Sequence, residues 1–175
     1  SGGTMTLLAG PSGGVGRLVA TNRLVVGETD GPVAIDGTFE MRSGNRVTVS
    51  DDTTTSLLVG QNGYGDFNQT GGTLEVSTRS YFGNLEGSRG IYNFSGCDAT
   101  FHNHVYVGNL GTGVVNQSGN TFADVEGDLY IGFGANSEGK YFKTEGGLLV
   151  QGSIYVGNRN SGLFNQSAGN TNVRG

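Results

Sequence analysis

Four residues of this chain are the most capable of chemistry by type and spacing: His102, His104, Glu126 and Asp128. The histidines follow one apolar segment, and the carboxylates follow the next segment at the same two offsets. If such segments are stacked strands, all four side chains lie at one corner together with Arg79. Imidazole and carboxylate groups bind divalent metals, and with an arginine they could act as base and cation in a polysaccharide lyase or hydrolase. The structural alternative is that these corner residues are polar because corners face solvent, and that their charges only avoid repulsion between neighbouring coils.

A second candidate site is a tyrosine that recurs within an apolar-aromatic-apolar-Gly step, at Tyr81, Tyr106, Tyr130 and Tyr155. In a stacked fold these tyrosines form an outward-facing column. Aromatic faces repeated along a rod could stack on sugar rings or pack against another rod. The structural alternative is that the stacked rings stabilise neighbouring parallel strands. The sequence leaves both roles open.

The elements that position these residues follow from a repeat of about two dozen residues. The glycines that close the step lie 23, 25, 24 and 25 residues apart, at Gly60, Gly83, Gly108, Gly132 and Gly157. Each unit holds three short runs of alternating apolar and polar residues, separated by Gly, Asn, Ser or Thr, and no stretch has helical periodicity. Such coils bury their apolar sides only by stacking, at a spacing of about 4.8 Å. The sequence therefore predicts an all-β fold, a parallel β-solenoid (β-helix) with three strands per coil and about 6–7 coils.

Equivalent residues of successive coils are expected to pile into columns inside the solenoid. Alternation along the first strand directs these pairs inward: Leu57 and Val59, Val105 and Val107, Leu129 and Ile131, Ile154 and Val156. The interior column of the second strand is Phe67, Tyr92, Val115, Tyr141 and Phe164. The interior residues of the third strand are Leu74 and Val76, Ala99 and Phe101, Leu148 and Val150.

The chain is predicted to form a single domain over residues 1–175. Residues 57–175 are regular repeats of 23–25 residues, and residues 1–56 are irregular coils. Loops are expected around residues 28–35 and 51–55, since insertions in a solenoid fall at corners.

Three segments of the irregular part can still be compared with the repeats. Residues 24–27 resemble the first strand of the unit, and residues 37–41 resemble residues 65–69. Residues 3–7 resemble residues 72–76, which predicts that they form a third strand.

Composition excludes several function classes. The 175 residues carry a formal charge of -5 and only two lysines, so a nucleic-acid partner is not expected because phosphate binding needs a basic stripe. No apolar run is long enough to span a membrane. The single Cys97 excludes an internal disulfide framework. No calcium repeat, Walker loop or nucleophile elbow is present, and no cofactor is predicted.

The ends of the predicted rod suggest assembly. A solenoid exposes a layer of unpaired backbone at each end unless a cap covers it, and neither end of this sequence shows a polar or helical cap. We therefore expect self-association end to end, or continuation into further repeats, through β-augmentation. The predicted contacts are Thr4, Met5, Thr6 and Leu7 at one end and Val173 at the other.

The phrase Phe-Asn-Gln-Ser/Thr-x-Gly at residues 67–72 and 164–169, with its Tyr-Val/Ile-Gly step, resembles the repeats of bacterial autotransporter-like and other long surface proteins. The resemblance covers residues 57–175 and implies an extracellular β-solenoid used as a stalk, adhesin or fibre. The leading prediction is thus a structural, non-enzymatic cell-surface fibre or head-to-tail filament. One alternative is an adhesin that binds glycan or protein along the tyrosine column. The other is a polysaccharide-active β-helix enzyme that uses the Arg79, His104 and Asp128 corner.

Overall fold

The computed structural model describes residues 3–7, 16–28, 36–50 and 55–175, and in these ranges the protein is an all-β solenoid without helices. The described strands form three parallel sheets that wind through about six turns. The chain passes from one sheet to the next in a fixed order, so each sheet receives every third strand. The predicted fold class and the three strands per coil are confirmed.

The strands are numbered in chain order, and each sheet is named by its position in the coil. Sheet I contains β1 Gly3–Leu7, β4 Asp36–Met41, β7 Tyr64–Gln69, β10 Arg89–Ser95, β13 Thr112–Ser118, β16 Glu138–Lys143 and β19 Ser161–Gln166. Sheet II contains β2 Arg17–Ala20, β5 Arg46–Val49, β8 Thr73–Val76, β11 Asp98–Phe101, β14 Phe122–Val125, β17 Gly147–Val150 and β20 Asn170–Val173. Sheet III contains β3 Leu24–Val26, β6 Thr55–Val59, β9 Arg79–Phe82, β12 Val105–Val107, β15 Leu129–Ile131 and β18 Ile154–Val156.

Equivalent positions of successive coils lie directly above one another, as the repeat predicts. In sheet III, Val59 pairs with Phe82, and the column continues through Val107 and Ile131 to Val156. The predicted columns of sheets I and II are confirmed in the same way. Because the strands alternate, one side of every strand feeds a continuous apolar core.

The irregular first part of the chain joins the same three sheets. Strand β3 pairs with β6, and Gly37–Met41 pairs with residues 65–69, as the comparison of segments predicts. The placement of Gly3–Leu7 is wrong: it pairs with Gly37–Met41 in sheet I, not in sheet II beside residues 72–76. Five alternating residues fit either sheet, and the following strand β2 takes the place in sheet II. The predicted loops fall mainly on residues 29–35 and 51–54, which lie outside the described residues.

The glycines that mark the repeat close the corner between sheets III and I. Gly108 has a φ of 75°, and a Cβ atom there would lie 2.3 Å from the carbonyl oxygen of Glu138 in the next coil. A Cβ on Gly113 would lie 2.1 Å from the amide nitrogen of Gly108. Only glycine combines this backbone conformation with such a close approach. The corner therefore requires the repeated glycines for steric reasons.

Candidate functional site

The corner after sheet II places the chemistry-bearing residues of the sequence in two neighbouring rows. His102 and Glu126 occupy equivalent positions in one row, and His104 and Asp128 occupy equivalent positions in the other. Backbone hydrogen bonds between successive coils hold both rows in register. Arg79 begins β9 and precedes His104 in the second row. The two rows differ in their contacts.

The first row belongs to a ladder of alternating charges on the outer side of sheet II, formed by Arg46, Glu75, His102 and Glu126 and called the charged ladder below. Arg46 Nη2 donates to Glu75 Oε2 over 2.6 Å. His102 lies between two carboxylates, with Nε2 3.3 Å from Glu75 Oε1 and Nδ1 3.0 Å from Glu126 Oε1. Each residue of the ladder therefore contacts a group of opposite charge in a neighbouring coil.

These contacts change the protonation of the ladder. Burial lowers the pKa of His102, but its hydrogen bonds to Glu126 and Glu75 outweigh burial, so the pKa is raised above the ordinary 6.5. The hydrogen bond from Arg46, followed by that from His102, lowers the pKa of Glu75 below the ordinary 4.5. Protonated His102 and ionised Glu75 thus coexist over the mildly acidic range.

We expect His102→Gln to destabilise the protein at pH 5.5 but not at pH 8.5. The pKa of His102 is raised on folding, so its contribution is fully present below pH 6.5 and is lost as pH rises through the folded pKa. The Glu75 contribution is lost instead as pH falls below 4.5. Because the ladder is exposed, His102→Gln should lower the free energy of unfolding at pH 5.5 by less than about 1 kcal/mol.

Thermal unfolding of both proteins at the two pH values measures this difference. In a background with Glu75→Gln and Glu126→Gln, the substitution of His102 should have no pH-dependent effect. Equal losses at pH 5.5 and pH 8.5 in the otherwise unchanged protein would show that the carboxylates are not the cause.

The second row is occupied by hydrogen bonds that hold the corner. The backbone N–H of Asp128 donates to His104 Nδ1 over 2.8 Å. The carboxylate of Asp128 accepts from the backbone N–H of Ser153 at 2.8 Å and from the hydroxyl of Tyr130 at 3.0 Å. His104 Nδ1 also lies 3.4 Å from Asp128 Oδ2, but because this nitrogen accepts a hydrogen bond from the Asp128 N–H it does not donate to the carboxylate. Both carboxylate oxygens are therefore already hydrogen-bonded.

The structure does not gather the predicted metal ligands around one point. Glu75 and Glu126 approach opposite ring nitrogens of His102, whose lone pairs diverge. Within the ranges that the structure describes, no three His, Cys, Asp or Glu side chains are placed so that they could hold a metal ion. The four predicted residues are brought together as two separate pairs, His102 with Glu126 and His104 with Asp128.

The predicted tyrosine column forms a continuous ring stack on sheet III. Adjacent ring centroids lie 4.7–4.9 Å apart with interplanar angles of 7–9° along Tyr81, Tyr106, Tyr130 and Tyr155. Phe133 packs its ring edge-to-face against Tyr106 and Tyr130, at 5.1 and 5.0 Å. Offset stacks and edge contacts of this kind stabilise aromatic clusters.

Stacking leaves little of these rings for a ligand. Tyr106 is only 9% exposed, whereas Tyr155 at the end of the stack is 41% exposed. Burial, together with the hydrogen bond to Asp128, raises the pKa of Tyr130 to about 12, so its hydroxyl keeps its proton at neutral pH. A sugar stacks on an aromatic face, and each internal ring already covers the faces of its neighbours.

Two further surface features were not singled out from the sequence. Asn116 donates to Asn93, Asn93 to Asn68, and Asn68 to Glu40, each over 2.7 Å, which makes an amide ladder along sheet I. Asparagine recurs before glutamine or phenylalanine in four of the five regular units, at residues 68, 93, 116 and 165, and this is the signal that could have revealed the ladder. The ladder adds a side-chain hydrogen bond to each of the three coil interfaces that it crosses.

Tyr64 is the second feature. It is exposed on sheet I, beside a groove of about 520 Å³ that Asp36, Asp66 and Arg89 also line. Burial raises the pKa of Asp66, although the charge of Arg89 opposes the shift. The groove thus offers polar and aromatic groups to a ligand. It lies on sheet I, whereas the stacked tyrosines lie on sheet III.

The last coil exposes side chains that lie in the core elsewhere. Val156 continues the buried column of Ile131 and is 48% exposed, and Val173 continues the column of Val150 and is 44% exposed. Among the described strands, sheets I and II have seven and sheet III has six. Strands β18, β19 and β20 are each the last strand of their sheet, so together they form the outermost layer at this end. Of the predicted assembly residues, Met5 is likewise exposed at the other end.

In comparisons with known proteins, no protein-family model, no curated protein and no solved structure matches this chain. The described residues contain no helix that is long and apolar enough to cross a lipid bilayer. The fold and the contacts of its side chains are therefore the observations on which a function can be built.

Proposed function

We propose that this chain is a structural, non-enzymatic β-solenoid that forms part of an extracellular bacterial surface fibre, in which further coils stack on its exposed end. One observation carries the proposal: the side chains that could do chemistry are engaged by equivalent residues of neighbouring coils. The tyrosine rings stack on one another, His102 lies between two carboxylates, and the asparagines bond along sheet I. These contacts join each coil to the next and so stabilise a rod along its whole length.

The same contacts weaken the two alternatives. Glycan binding along the tyrosine column needs ring faces, and those of Tyr106 and Tyr130 are covered by neighbouring rings. Catalysis at the corner needs carboxylate lone pairs that face a substrate, and each oxygen of Asp128 already accepts one hydrogen bond from the protein, which leaves fewer of them. A scaffold requires neither.

The extracellular assignment is supported by composition and by the resemblance to surface-protein repeats. The only cysteine, Cys97, is buried at a corner, and burial raises the pKa of its thiol to about 12. Such a thiol is protonated and unreactive, since the thiolate is the reactive form. The chain therefore carries no exposed cysteine that an oxidising compartment would crosslink.

The proposal predicts that the exposed end associates with another coil. With rising protein concentration, sedimentation velocity should show elongated oligomers, and amide hydrogen exchange in β18–β20 should slow. Val156→Lys with Val173→Lys should abolish both effects, because two charges would enter an apolar layer.

Leu85→Lys is the matched control, since Leu85 is exposed on the side of the rod and its substitution should change neither measurement. A protein that remains monomeric at every concentration, with β18–β20 already protected from exchange, would contradict the proposal.

A further inference from the structure

From strand β7 onward, two kinds of coil alternate along the solenoid. The coils that begin with β7 and β13 direct Gln69 and Gln117 into the core, and we call them glutamine coils. The coils that begin with β10 and β16 direct Tyr92 and Tyr141 into the core, and we call them tyrosine coils. Both side chains of each kind are almost fully buried.

Each glutamine binds the tyrosine coil stacked on it through two hydrogen bonds. The hydroxyl of Tyr92 donates to Gln69 Oε1 over 2.5 Å, and that of Tyr141 donates to Gln117 Oε1 over 2.9 Å. The amide nitrogens donate in turn: Gln69 Nε2 donates to the carbonyl oxygen of Asp98 over 3.2 Å, and Gln117 Nε2 donates to that of Gly147 over 2.8 Å. In both cases the two partners lie in the following coil, so this interface is polar at its centre.

The interface on the other side of a tyrosine coil lacks this pairing. The residues aligned with the glutamines in the tyrosine coils are Phe94 and Lys143. Phe94 stacks on Tyr92 in its own coil, and buried Lys143 donates to backbone carbonyl oxygens of Gly146 and Ala168. Desolvation lowers the pKa of Lys143. The glutamine–tyrosine pair therefore recurs every second coil.

The last described coil is a glutamine coil whose partner surface is open. Gln166 aligns with Lys143 of the coil beneath, and Phe164 aligns with Tyr141. Among the described residues, the amide of Gln166 bonds only within its own coil. Its Nε2 donates to the carbonyl oxygen of Gly169 at 2.7 Å, and its Oε1 accepts from the hydroxyl of Thr171 at 2.6 Å. Unlike Gln69 and Gln117, Gln166 is exposed.

We propose that this end of the solenoid is an interaction surface for a further three-stranded coil of the tyrosine kind. The incoming tyrosine lies over Phe164 and donates its hydroxyl proton to Gln166 Oε1, while an incoming backbone carbonyl accepts from Gln166 Nε2. The inference rests on the proposed function and specifies the partner, by continuity with the two glutamine–tyrosine interfaces already present in the rod.

The first coil of a second copy of this chain can stack on this end, but it satisfies the surface less fully than a tyrosine coil does. Met5 aligns with Phe39 and Leu7 aligns with Met41, so a second copy stacked head-to-tail would place Met5 over Phe164 and Leu7 over Gln166. Neither side chain can donate a hydrogen bond to the amide oxygen. A second copy would bury Gln166 without the hydroxyl that Gln69 and Gln117 both receive.

Adding one coil to the chain tests the inference. Residues 173–175 follow the register of residues 125–127, so a copy of residues 128–150 placed after Gly175 continues the rod and sets a copy of Tyr141 over Phe164. Two matched chains carry Tyr141→Phe or Tyr141→Met in the added copy only; the second mimics Met5. The measurement is the protection of the β19 and β20 amides from hydrogen exchange.

The added tyrosine coil should protect β19 and β20 about fivefold more than either matched chain, the effect of one net buried hydrogen bond. Gln166→Leu in the extended chain should remove this advantage. Equal protection by all three added coils, or an advantage that survives Gln166→Leu, overturns the inference and leaves the proposed function standing. If no added coil increases protection, the end does not accept coils and the proposed function fails as well.

Discussion

Gly108→Ala is expected to destabilise the solenoid by roughly 2–5 kcal/mol, the sum of the cost of a left-handed backbone and that of a steric overlap. The backbone at Gly108 has a φ of 75°, and an added Cβ would lie 2.3 Å from the Glu138 carbonyl oxygen. The overlapping atom belongs to the backbone of the next coil, so a side-chain rotation cannot relieve it. Equilibrium urea unfolding measures the loss.

Gly87→Ala separates the two contributions. Gly87 has the same φ of 75°, but nothing lies within 4 Å of the Cβ that alanine would add. Its substitution should therefore cost only the conformational part, about 1–2 kcal/mol. If both alanines cost the same, the close approach between coils contributes nothing.

Phe67→Ala should cost about 3–5 kcal/mol, as expected for a buried phenylalanine whose cavity cannot collapse. The Phe67 ring is fully buried, with ring centroids 4.9 Å from Phe39 and 5.0 Å from Tyr92 in the two neighbouring coils. One substitution thus removes contacts from two coil interfaces. Unfolding monitored by far-ultraviolet circular dichroism reports the change in stability.

The same substitution at Phe122 is the control, because that ring is 45% exposed at a corner of sheet II. Phe122→Ala should change stability by no more than about 0.5 kcal/mol. A comparable loss at the two positions would mean that the interior column does not carry the stability of the rod.

The fold could be predicted from the sequence because its key residues recur at regular intervals along the chain. The step glycines and the apolar residues around each tyrosine recur at nearly constant distance, and a period of two within each strand decides which side chains enter the core. Val59, Val107 and Val156 consequently lie in one column, as expected. The first strand was misplaced because Gly3–Leu7 is short and its alternation fits two sheets equally well.

The contacts of the candidate site were harder to predict because they depend on which rotamer reaches which neighbour. The sequence placed His102 near Glu126, but Glu75 in the preceding coil contacts the other ring nitrogen. It also expected an outward column at Tyr106, which Phe133 from the adjoining corner helps to cover. The pairing of Gln69 with Tyr92 spans two columns, and a comparison within single columns does not reveal it.

The alternation of interfaces with and without a glutamine–tyrosine pair affects how a rod of this kind would break under load. The backbone hydrogen bonds between coils run along the rod axis, so a pull from the two ends strains every interface in series. The two interfaces with a glutamine–tyrosine pair have a buried hydrogen bond at their centre, and the interface after the coil of β16 has the bond from Lys143 to Ala168. We therefore expect rupture to begin between the coils of β10 and β13, where Phe94 takes the place of glutamine. The fragments released by mechanical force would then be whole pairs of coils.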